Sequence, residues 1–176
     1  PGHTYMVSLD PSMGTGGDFA AIQVFELPTF EQIGEWHHNQ TPMNQQVRIL
    51  QGINKHIHDT IMEKDSTASP QIFYSMENNS IGEAALMRVM DIGEENIQGM
   101  FLSEPIRKGH RRKFRRGFNT TAKHKIDACT KFKELVENDK MKIHSQLLIS
   151  ELKDFVASGL SYKAKPGQHD DLVSAC

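Results

Sequence analysis

A change of hydrophobic spacing along the chain constrains its fold more than any other feature. Short apolar segments of strand character come first, at residues 5–9, 19–27 and 32–38. After them, helical and strand segments alternate. Strands linked by hairpins pair antiparallel, whereas strands joined through helices pair parallel. We therefore expect an α/β domain with one mixed sheet, three antiparallel strands followed by parallel strands, and helices on both faces.

The later segments are predicted from their periodicity and their turn residues. Thr41 is the expected N-cap of a long amphipathic helix, with Pro42 at the first helical position. This helix and the others are expected at about residues 42–63, at 81–90, from Thr120 or Thr121 onward, at 149–156 and from His169 onward. The remaining strands are expected at residues 71–76, 96–102, 140–145 and 160–163.

Length and composition limit the class of protein. The 176 residues suffice for one domain with a sizeable core, so we expect a single domain over residues 1–176. The two cysteines, Cys129 and Cys176, are too few for a disulfide framework and favour a reducing compartment. No apolar run approaches the ~20 residues that cross a bilayer, so we expect a soluble protein that makes no membrane contact.

The formal net charge of −2 hides a strongly basic stretch, called here the basic segment, at residues 107–125. Nine of the 20 lysines and arginines lie in it, without an acidic residue among them. They are Arg107, Lys108, Arg111, Arg112, Lys113, Arg115, Arg116, Lys123 and Lys125. A run of this kind binds a polyanion or forms a solvated loop.

Acidic residues follow two of the predicted strands directly. Asp10 ends the first strand before Pro11 and a glycine-rich turn, and Glu77 follows the strand at 71–76. If those strands are adjacent and parallel, both carboxylates emerge at one edge of the sheet, where open α/β sheets place their sites. Asp170 and Asp171 can complete the set from the last helix. Each residue also has an ordinary explanation as a turn residue, a solvent-facing strand end or an N-cap.

A divalent cation would offset the repulsion between these carboxylates. Unpaired carboxylates in a partly buried cluster repel, which raises their pKa values or destabilises the fold. Mg²⁺ and Mn²⁺ accept carboxylates together with waters and phosphate oxygens, and two such ions roughly 3.5–4 Å apart promote phosphodiester cleavage. An acidic cluster together with a basic segment therefore predicts metal-dependent chemistry on a nucleic acid.

Three motifs taken together resemble a known family. The sequences SLDPSMGTGGDFAAIQVFEL, YSMENNSIGEAAL and GQHDDLVSA, in this order, resemble the C-terminal nuclease domain of tailed-bacteriophage terminase large subunits, in particular the branch from large myoviruses. The resemblance spans essentially the whole chain. It implies a ribonuclease-H-like fold and an endonuclease that cuts concatemeric double-stranded DNA, with little sequence preference, during viral genome packaging.

The resemblance also implies roles for the acidic residues. By the family's motif positions, Asp10, Glu77 and Asp170 would be the catalytic metal ligands, with Asp171 as the alternative to Asp170. The expected cofactor is Mg²⁺ or Mn²⁺, as two ions. Asp18 matches a further acidic position of the family and would hold the second ion or a bound water, unless it is a turn residue.

The histidines allow more than one interpretation. His169 would orient a metal-bound water or contact phosphate, or it is the hydrogen-bond partner of the two aspartates beside it. His37 and His38, next to Trp36 at a strand end, are interpreted as packing and surface residues.

The partners follow from the same resemblance. An ATPase motor domain is expected to precede this segment in a longer protein, because the phosphate-binding signature GxxxxGK[ST] does not occur in the sequence. Double-stranded DNA, gripped through its backbone by the basic segment, is the expected substrate. A portal and a small terminase subunit are expected partners, and the host cytoplasm, at the procapsid, is the expected location.

Other functions fit parts of the pattern. A non-catalytic DNA-binding module would use the basic segment alone, and would bind DNA without metal dependence. A ribonuclease-H-like junction resolvase or transposase would prefer branched DNA or specific ends. An actin-like or sugar-kinase ATPase fits the sequence LDPSMGTGGD, but it requires a second similar lobe that 176 residues do not supply.

Overall fold

The computed structural model describes residues 3–103, 117–118, 121–158 and 161–176. Seven strands and five α-helices lie in these ranges. The strands are β1 Thr4–Asp10, β2 Ala20–Leu27, β3 Glu31–His38, β4 Gln71–Met76, β5 Met100–Phe101, β6 Phe155–Ser158 and β7 Ser161–Ala164. The helices are α1 Met43–Lys64, α2 Ser80–Ile92, α3 Ala122–Glu137, α4 Gln146–Asp154 and α5 Asp171–Ser174.

The main sheet has five strands in the order β3-β2-β1-β4-β5. Strands β1, β2 and β3 pair antiparallel, and β4 pairs parallel with both β1 and β5. This is the expected mixed sheet, with three antiparallel strands followed by parallel ones. The fifth strand is shorter than the expected 96–102, since only Met100 and Phe101 pair with β4.

One face of the sheet carries the larger core. Alternate residues of β1, namely Tyr5, Val7 and Leu9, are buried on this face, as the two-residue period of a strand requires. Helix α1 packs against them through Val47 and Leu50, and α2 contributes to the same cluster. The periodicity of α1 therefore serves to cover the sheet, in keeping with its prediction as an amphipathic helix.

The opposite face is covered by α4 and α5. Ala21 of β2 forms a second buried cluster with Leu148 of α4 and Leu172 of α5. A polar contact anchors α4 as well, because Gln32 Oε1 accepts hydrogen bonds from the backbone N–H groups of His144 and Ser145 at 2.9 and 2.8 Å. Helices thus lie on both faces of the sheet, which confirms that expectation.

Near the C-terminus one predicted strand is wrong and one predicted helix has different bounds. Residues 140–145 form no strand; only Lys142 makes a single bridge, to Glu31. The helix expected at 149–156 is α4, and it ends at Asp154. The next four residues instead pair antiparallel with β7 as a separate two-stranded sheet. The Asp154 carbonyl oxygen accepts from the backbone N–H of Lys165 at 3.0 Å, so a contact distant in sequence ends the helix.

The N-terminus of α1 differs from the prediction. Pro42 is the N-cap of α1 instead of its first residue, and the Thr41 hydroxyl is paired with His38 Nδ1 at 2.7 Å and caps nothing. Thr121 does cap α3, accepting from the His124 N–H at 3.2 Å. No helix in the described part of the chain combines the length and the apolar character needed to cross a membrane.

Candidate functional site

The carboxylates of Asp10 and Glu77 meet at the carboxyl ends of two parallel strands. Strands β1 and β4 are paired through Leu9 and Met76, and the Glu77 N–H continues the ladder to the Leu9 carbonyl oxygen at 3.3 Å. The charge of the Glu77 carboxylate acts on Asp10 and raises the pKa of its carboxyl group. Glu77 Oε2 also accepts from Asn79 Nδ2 at 2.7 Å. The expected juxtaposition of these two residues is therefore present.

The turn after Asp10 is held by a buried side chain of α1. Gln46 Nε2 donates to the carbonyl oxygens of Ser12 at 2.9 Å and Thr41 at 2.7 Å, and Gln46 Oε1 accepts from the Ser12 N–H at 3.2 Å. Gly14, at φ 68°, passes so close to the Thr41 carbonyl that a Cβ would overlap with it. These contacts fix the backbone that follows Asp10, which is the support a rigid site requires.

The start of α2 lies directly against Glu77. Asn79 is the N-cap, and its side chain accepts from the N–H groups of Ile81 at 3.0 Å and Gly82 at 2.8 Å. A Cβ on Gly82 would overlap with the Glu77 carbonyl oxygen. Glycine at this position therefore permits the helix to begin immediately after the strand that carries Glu77.

Burial and the neighbouring acidic residues raise the pKa of Asp10. Burial raises the pKa of the Asp10 carboxyl well above its usual range, and the negative charges of Glu77, Asp171 and Asp170 raise it further. Burial and the neighbouring negative charges both favour a proton on Asp10 when no cation is bound. A cation that replaced this proton would relieve the repulsion.

The carboxylates of Asp170 and Asp171 make different contacts. Asp170 Oδ2 accepts from the Ala164 N–H at 3.3 Å and lies 3.7 Å from Lys125 Nζ. Asp171 Oδ2 is buried and has no hydrogen-bond partner among the described residues. Burial raises the pKa of the Asp171 carboxyl, with Asp170 and Asp18 adding to the effect while His169 opposes it. Asp171 is thus the member of the pair with an unsatisfied acceptor.

The other two predicted residues border Asp171. Asp18 is exposed, and its charge acts on Asp171. His169 Nδ1 lies 3.5 Å from Asp171 Oδ2, and its ring meets the Phe19 ring edge-on at 5.1 Å between centroids. His169 is therefore placed to pair with an aspartate when protonated, one of the two alternatives drawn from the sequence.

Most of the basic segment, from Arg107 to Arg116, lies outside the described residues. The described residues on either side of this gap meet beside β4. The Gly117 N–H donates to Ser103 Oγ at 3.1 Å, and the Phe118 N–H donates to the Met76 carbonyl oxygen at 3.1 Å. Glu77 and Phe118 also form a β-bridge. The described residues on both sides of the gap consequently lie near Glu77.

The two lysines at the end of the basic segment differ in exposure. Lys123 is exposed to solvent. Lys125 is partly buried, and its Nζ lies near Asp170 and 5.6 Å from the centroid of the Phe155 ring. Lys125 therefore faces the acidic cluster.

Two residues that the sequence interpretation assigned to no site also contact this region. One ligand atom each of His37, Glu151 and Asp171 lie within 4.8 Å of one another. Burial raises the pKa of Glu151 from 4.5 to about 7, and burial lowers the pKa of His37. The register of β2 against β3 would have placed His37 here, but the sequence alone does not supply that register.

Comparison with known proteins agrees with this architecture. The family model described as "Terminase RNaseH-like domain" matches residues 7–176. The large terminase nuclease of the thermophilic phage G20c is 17% identical, with a TM-score of 0.63 over 98% of this chain and 78% of that one. The human cytomegalovirus terminase nuclease domain, in a manganese-soaked and inhibitor-bound structure, is 15% identical, with a TM-score of 0.64 over 99% and 80%.

A third solved structure has the same fold. The large terminase nuclease domain of Thermus phage P74-26 is 16% identical, with a TM-score of 0.60 over 98% of this chain and 76% of that one. The fold is therefore ribonuclease-H-like, as the motifs implied. Because the family match extends over nearly the whole length, this chain belongs to the terminase RNaseH-like domain family.

Proposed function

We propose that this protein is a divalent-metal-dependent endonuclease that cuts concatemeric double-stranded DNA, with little sequence specificity, during viral genome packaging. The observation that carries the proposal is the juxtaposition of Asp10 and Glu77 at the carboxyl ends of adjacent parallel strands. In a member of the terminase RNaseH-like family, such a carboxylate pair is suited to hydrolysis of a phosphodiester.

The donor set fits a hard divalent cation. Asp10 and Glu77 offer carboxylate oxygens, and Asp171 Oδ2 is a buried acceptor without a hydrogen-bond partner in the described ranges. One G20c nuclease structure contains bound magnesium and another contains cobalt, and the cytomegalovirus domain was soaked with manganese. These relatives support Mg²⁺ or Mn²⁺ as the cofactor here, and we propose two ions.

The ligands we propose are Asp10, Glu77 and one aspartate of the adjacent pair. Bound there, the cation would activate a water and stabilise the leaving oxygen of the phosphodiester. Asp171 is preferred over Asp170 as the third ligand, because the carboxylate of Asp170 already contacts the Ala164 N–H and Lys125. Asp18 would add negative charge at the rim of the site, and His169 would orient Asp171.

The side chains around the ligands keep them in place. Asn79 donates to Glu77, and Lys125 balances the charge of Asp170. The basic segment would hold the DNA backbone, since Ser103 and Gly117, the described residues on either side of its undescribed part, lie beside β4. Contacts of lysine and arginine with phosphates position a duplex without reading its sequence.

The proposed setting is a packaging motor. We propose that an ATPase motor domain of the same protein delivers the DNA, that portal and small terminase subunit are further partners, and that cutting takes place at the procapsid in the host cytoplasm. Family membership supports this proposal, and the contacts of this domain with such partners are open to direct binding measurements.

Plasmid cleavage by the purified protein tests the function. Supercoiled DNA is incubated with Mg²⁺, with Mn²⁺ or with EDTA, in parallel with the Asp10→Asn variant and with Asp59→Asn as a matched control on α1. Metal-dependent nicking and linearisation that disappears only in Asp10→Asn is the expected result. Cleavage that survives in Asp10→Asn would contradict the assignment of the site. DNA binding that is independent of metal, without any cutting, would favour the non-catalytic module.

The choice of substrate separates the proposal from the related enzymes. Linear, supercoiled and four-way-junction DNA are offered at equal concentration. A packaging nuclease is expected to cut linear and supercoiled DNA about as well as the junction. Strong preference for the junction would instead indicate a resolvase.

A further inference from the structure

His37 lies on the same face of the sheet as Asp10. Asp10 is opposite Ala21, and Ala21 is opposite His37, in two successive antiparallel pairs. Residues directly opposite in an antiparallel pair project from the same face. Because neighbouring strands are about 4.8 Å apart, His37 lies about 10 Å along the sheet from Asp10. The small side chain of Ala21 between them leaves room for residues of α4 and α5.

Three residues from different elements converge above His37. A ring nitrogen of His37 and carboxylate oxygens of Glu151 and Asp171 lie within 4.8 Å of one another, and all three residues are partly buried. They come from the end of β3, from α4 and from the start of α5. Atoms that share a metal ion lie a few ångströms apart, so this spacing is compatible with a common ligand.

Two atoms of this cluster lack hydrogen-bond partners. His37 Nε2 and Asp171 Oδ2 are buried, and neither makes a hydrogen bond within the described ranges of the chain. A buried polar atom without a hydrogen bond is unfavourable for the folded protein. A cation between them would satisfy both atoms and would also compensate two carboxylates that lie close together.

The ligands are also held in position. The ring of His37 stacks on Phe19, with 4.1 Å between centroids and 14° between planes. Glu151 Oε2 accepts from the N–H groups of Leu172 at 2.9 Å and Val173 at 3.2 Å, which fixes its carboxylate against α5. Supporting contacts of this kind are typical of metal sites, where they fix the orientation of the ligands.

We propose that His37, Glu151 and Asp171 bind a transition-metal ion of the Zn²⁺ type, at a site separate from the Asp10–Glu77 pair. One imidazole with two carboxylates is a ligand set suited to Zn²⁺, whereas Mg²⁺ prefers oxygen ligands and waters. The proposal goes beyond the nuclease function and shares only Asp171 with it. The ion would lock α4 and α5 onto the end of β3.

Zn²⁺ titrations followed by calorimetry test this site. His37→Phe keeps an aromatic ring for stacking on Phe19 but removes both ring nitrogens. We expect it to weaken Zn²⁺ affinity by more than about 100-fold, beyond the ~10–100-fold that loss of an outer-sphere partner costs. His56→Phe, the same change at an exposed position of α1, should retain the Zn²⁺ affinity of the unmodified protein. Asp10→Asn should retain the binding event that His37→Phe removes, because Asp10 is not a ligand of this site.

A second measurement requires no substitution. In the unmodified protein, Zn²⁺ should shift the ring nitrogen resonances of His37 in a histidine-labelled NMR sample. Unchanged His37 resonances at saturating Zn²⁺ would overturn the proposal. So would Zn²⁺ binding that survives in His37→Phe and disappears in Asp10→Asn. Failure of the nuclease proposal has a different signature, which is the absence of metal-dependent cleavage in the unmodified protein.

Discussion

Asp10 and Glu77 lie together at the ends of adjacent parallel strands, and the charge of Glu77 adds to burial in raising the pKa of Asp10 well above its usual range. Both effects favour a proton on the Asp10 carboxyl group. The proton and a metal ion therefore compete for the same oxygens. Metal binding at this pair should release a proton, and the affinity for Mg²⁺ should increase as the pH rises.

Asp10→Asn tests whether Asp10 is required for cleavage without being required for the stability of the fold. Asparagine has nearly the same shape as aspartate, but the substitution removes one ligand charge. We expect cleavage to fall to background. The free energy of unfolding without metal should stay the same or increase by on the order of 1 kcal/mol, because repulsion in the cluster decreases.

Thermal unfolding in EDTA checks the stability of Asp10→Asn. The Asp59→Asn variant provides the comparison, since Asp59 lies on α1 with Lys55 as its partner. A large loss of stability in Asp10→Asn would show that the absence of cleavage reflects unfolding.

The roles of Asp170 and Asp171 can be separated by substituting each with asparagine. Asp171→Asn should abolish cleavage, because the substitution removes a negative charge and alters a buried acceptor that has no hydrogen-bond partner in the described structure. Asp170→Asn should lower the rate by about 10–100-fold, the effect of a residue that supports the ligands. Cleavage rates at saturating Mg²⁺ decide between them, and the reverse order would identify Asp170 as the ligand.

Asp10 and Glu77 could be predicted because a local pattern determines them. Each follows an apolar strand, and alternation of strands with helices implies that the two strands are parallel neighbours. Neither statement requires knowledge of distant contacts. The choice between Asp170 and Asp171 does require knowledge of distant contacts, because Asp170 contacts Ala164 and Lys125.

His37 could not be placed from the sequence because a β-bulge changes the pairing of β3. The register shifts between Val24 and Phe25, so that Phe25 is opposite Gln32 while Val24 is opposite Gly34. With continuous pairing from Phe25, Trp36 would lie opposite Ala21. The extra residue, Ile33, moves His37 to that position and so to the face of the site.

The end of α4 is a second feature that the sequence alone does not predict. The apolar spacing predicts a helix to residue 156, yet Phe155 begins a strand paired with β7. Lys165 determines this boundary, because its N–H binds the Asp154 carbonyl and its Nζ lies 2.9 Å from Asp154 Oδ1. Contacts across a hairpin outweigh the local helical preference, and periodicity does not encode them.

Gly82→Ala tests the close approach of α2 to Glu77. The added Cβ would overlap with the Glu77 carbonyl oxygen, so the helix or the strand end must move. We expect a loss of about 1–3 kcal/mol in the free energy of unfolding, together with slower cleavage. Gly52→Ala is the matched control, because a Cβ there has no atom within 4 Å. That variant should gain up to about 1 kcal/mol from helix propensity.

Glu151 should make the stability of the metal-free protein depend on pH. Its pKa rises from 4.5 to about 7 on burial, so the folded protein retains a proton that the unfolded chain releases. Stability is therefore expected to fall as the pH rises from about 4.5 through about 7. Glu151→Gln removes this contribution and should flatten the profile of melting temperature in EDTA by a few degrees.

The control variant for Glu151→Gln is Glu63→Gln, which changes an exposed glutamate of α1. Asp10 and Asp171 also have raised pKa values, so they contribute to the slope in every variant. Only the difference between Glu151→Gln and the unmodified protein measures Glu151. Identical slopes in both would contradict its raised pKa.

The basic segment should determine the salt dependence of DNA binding. Substitution of Arg111, Arg112 and Arg115 by glutamate should weaken affinity for every duplex sequence alike, because interactions with phosphates carry no sequence information. Removal of one lysine or arginine from the DNA phosphates should reduce the slope of log affinity against log salt by roughly 0.9. Fluorescence anisotropy with labelled duplexes at several salt concentrations measures both quantities.

A control with equal charge change is required, since any loss of positive charge weakens DNA binding through the overall field. Arg48, Lys64 and Lys140 are exposed and take part in no described ion pair, so their triple substitution by glutamate changes the net charge equally. The control should lower affinity slightly and leave the salt slope intact. Equal slopes in both triple variants would mean that the DNA backbone binds elsewhere on the domain.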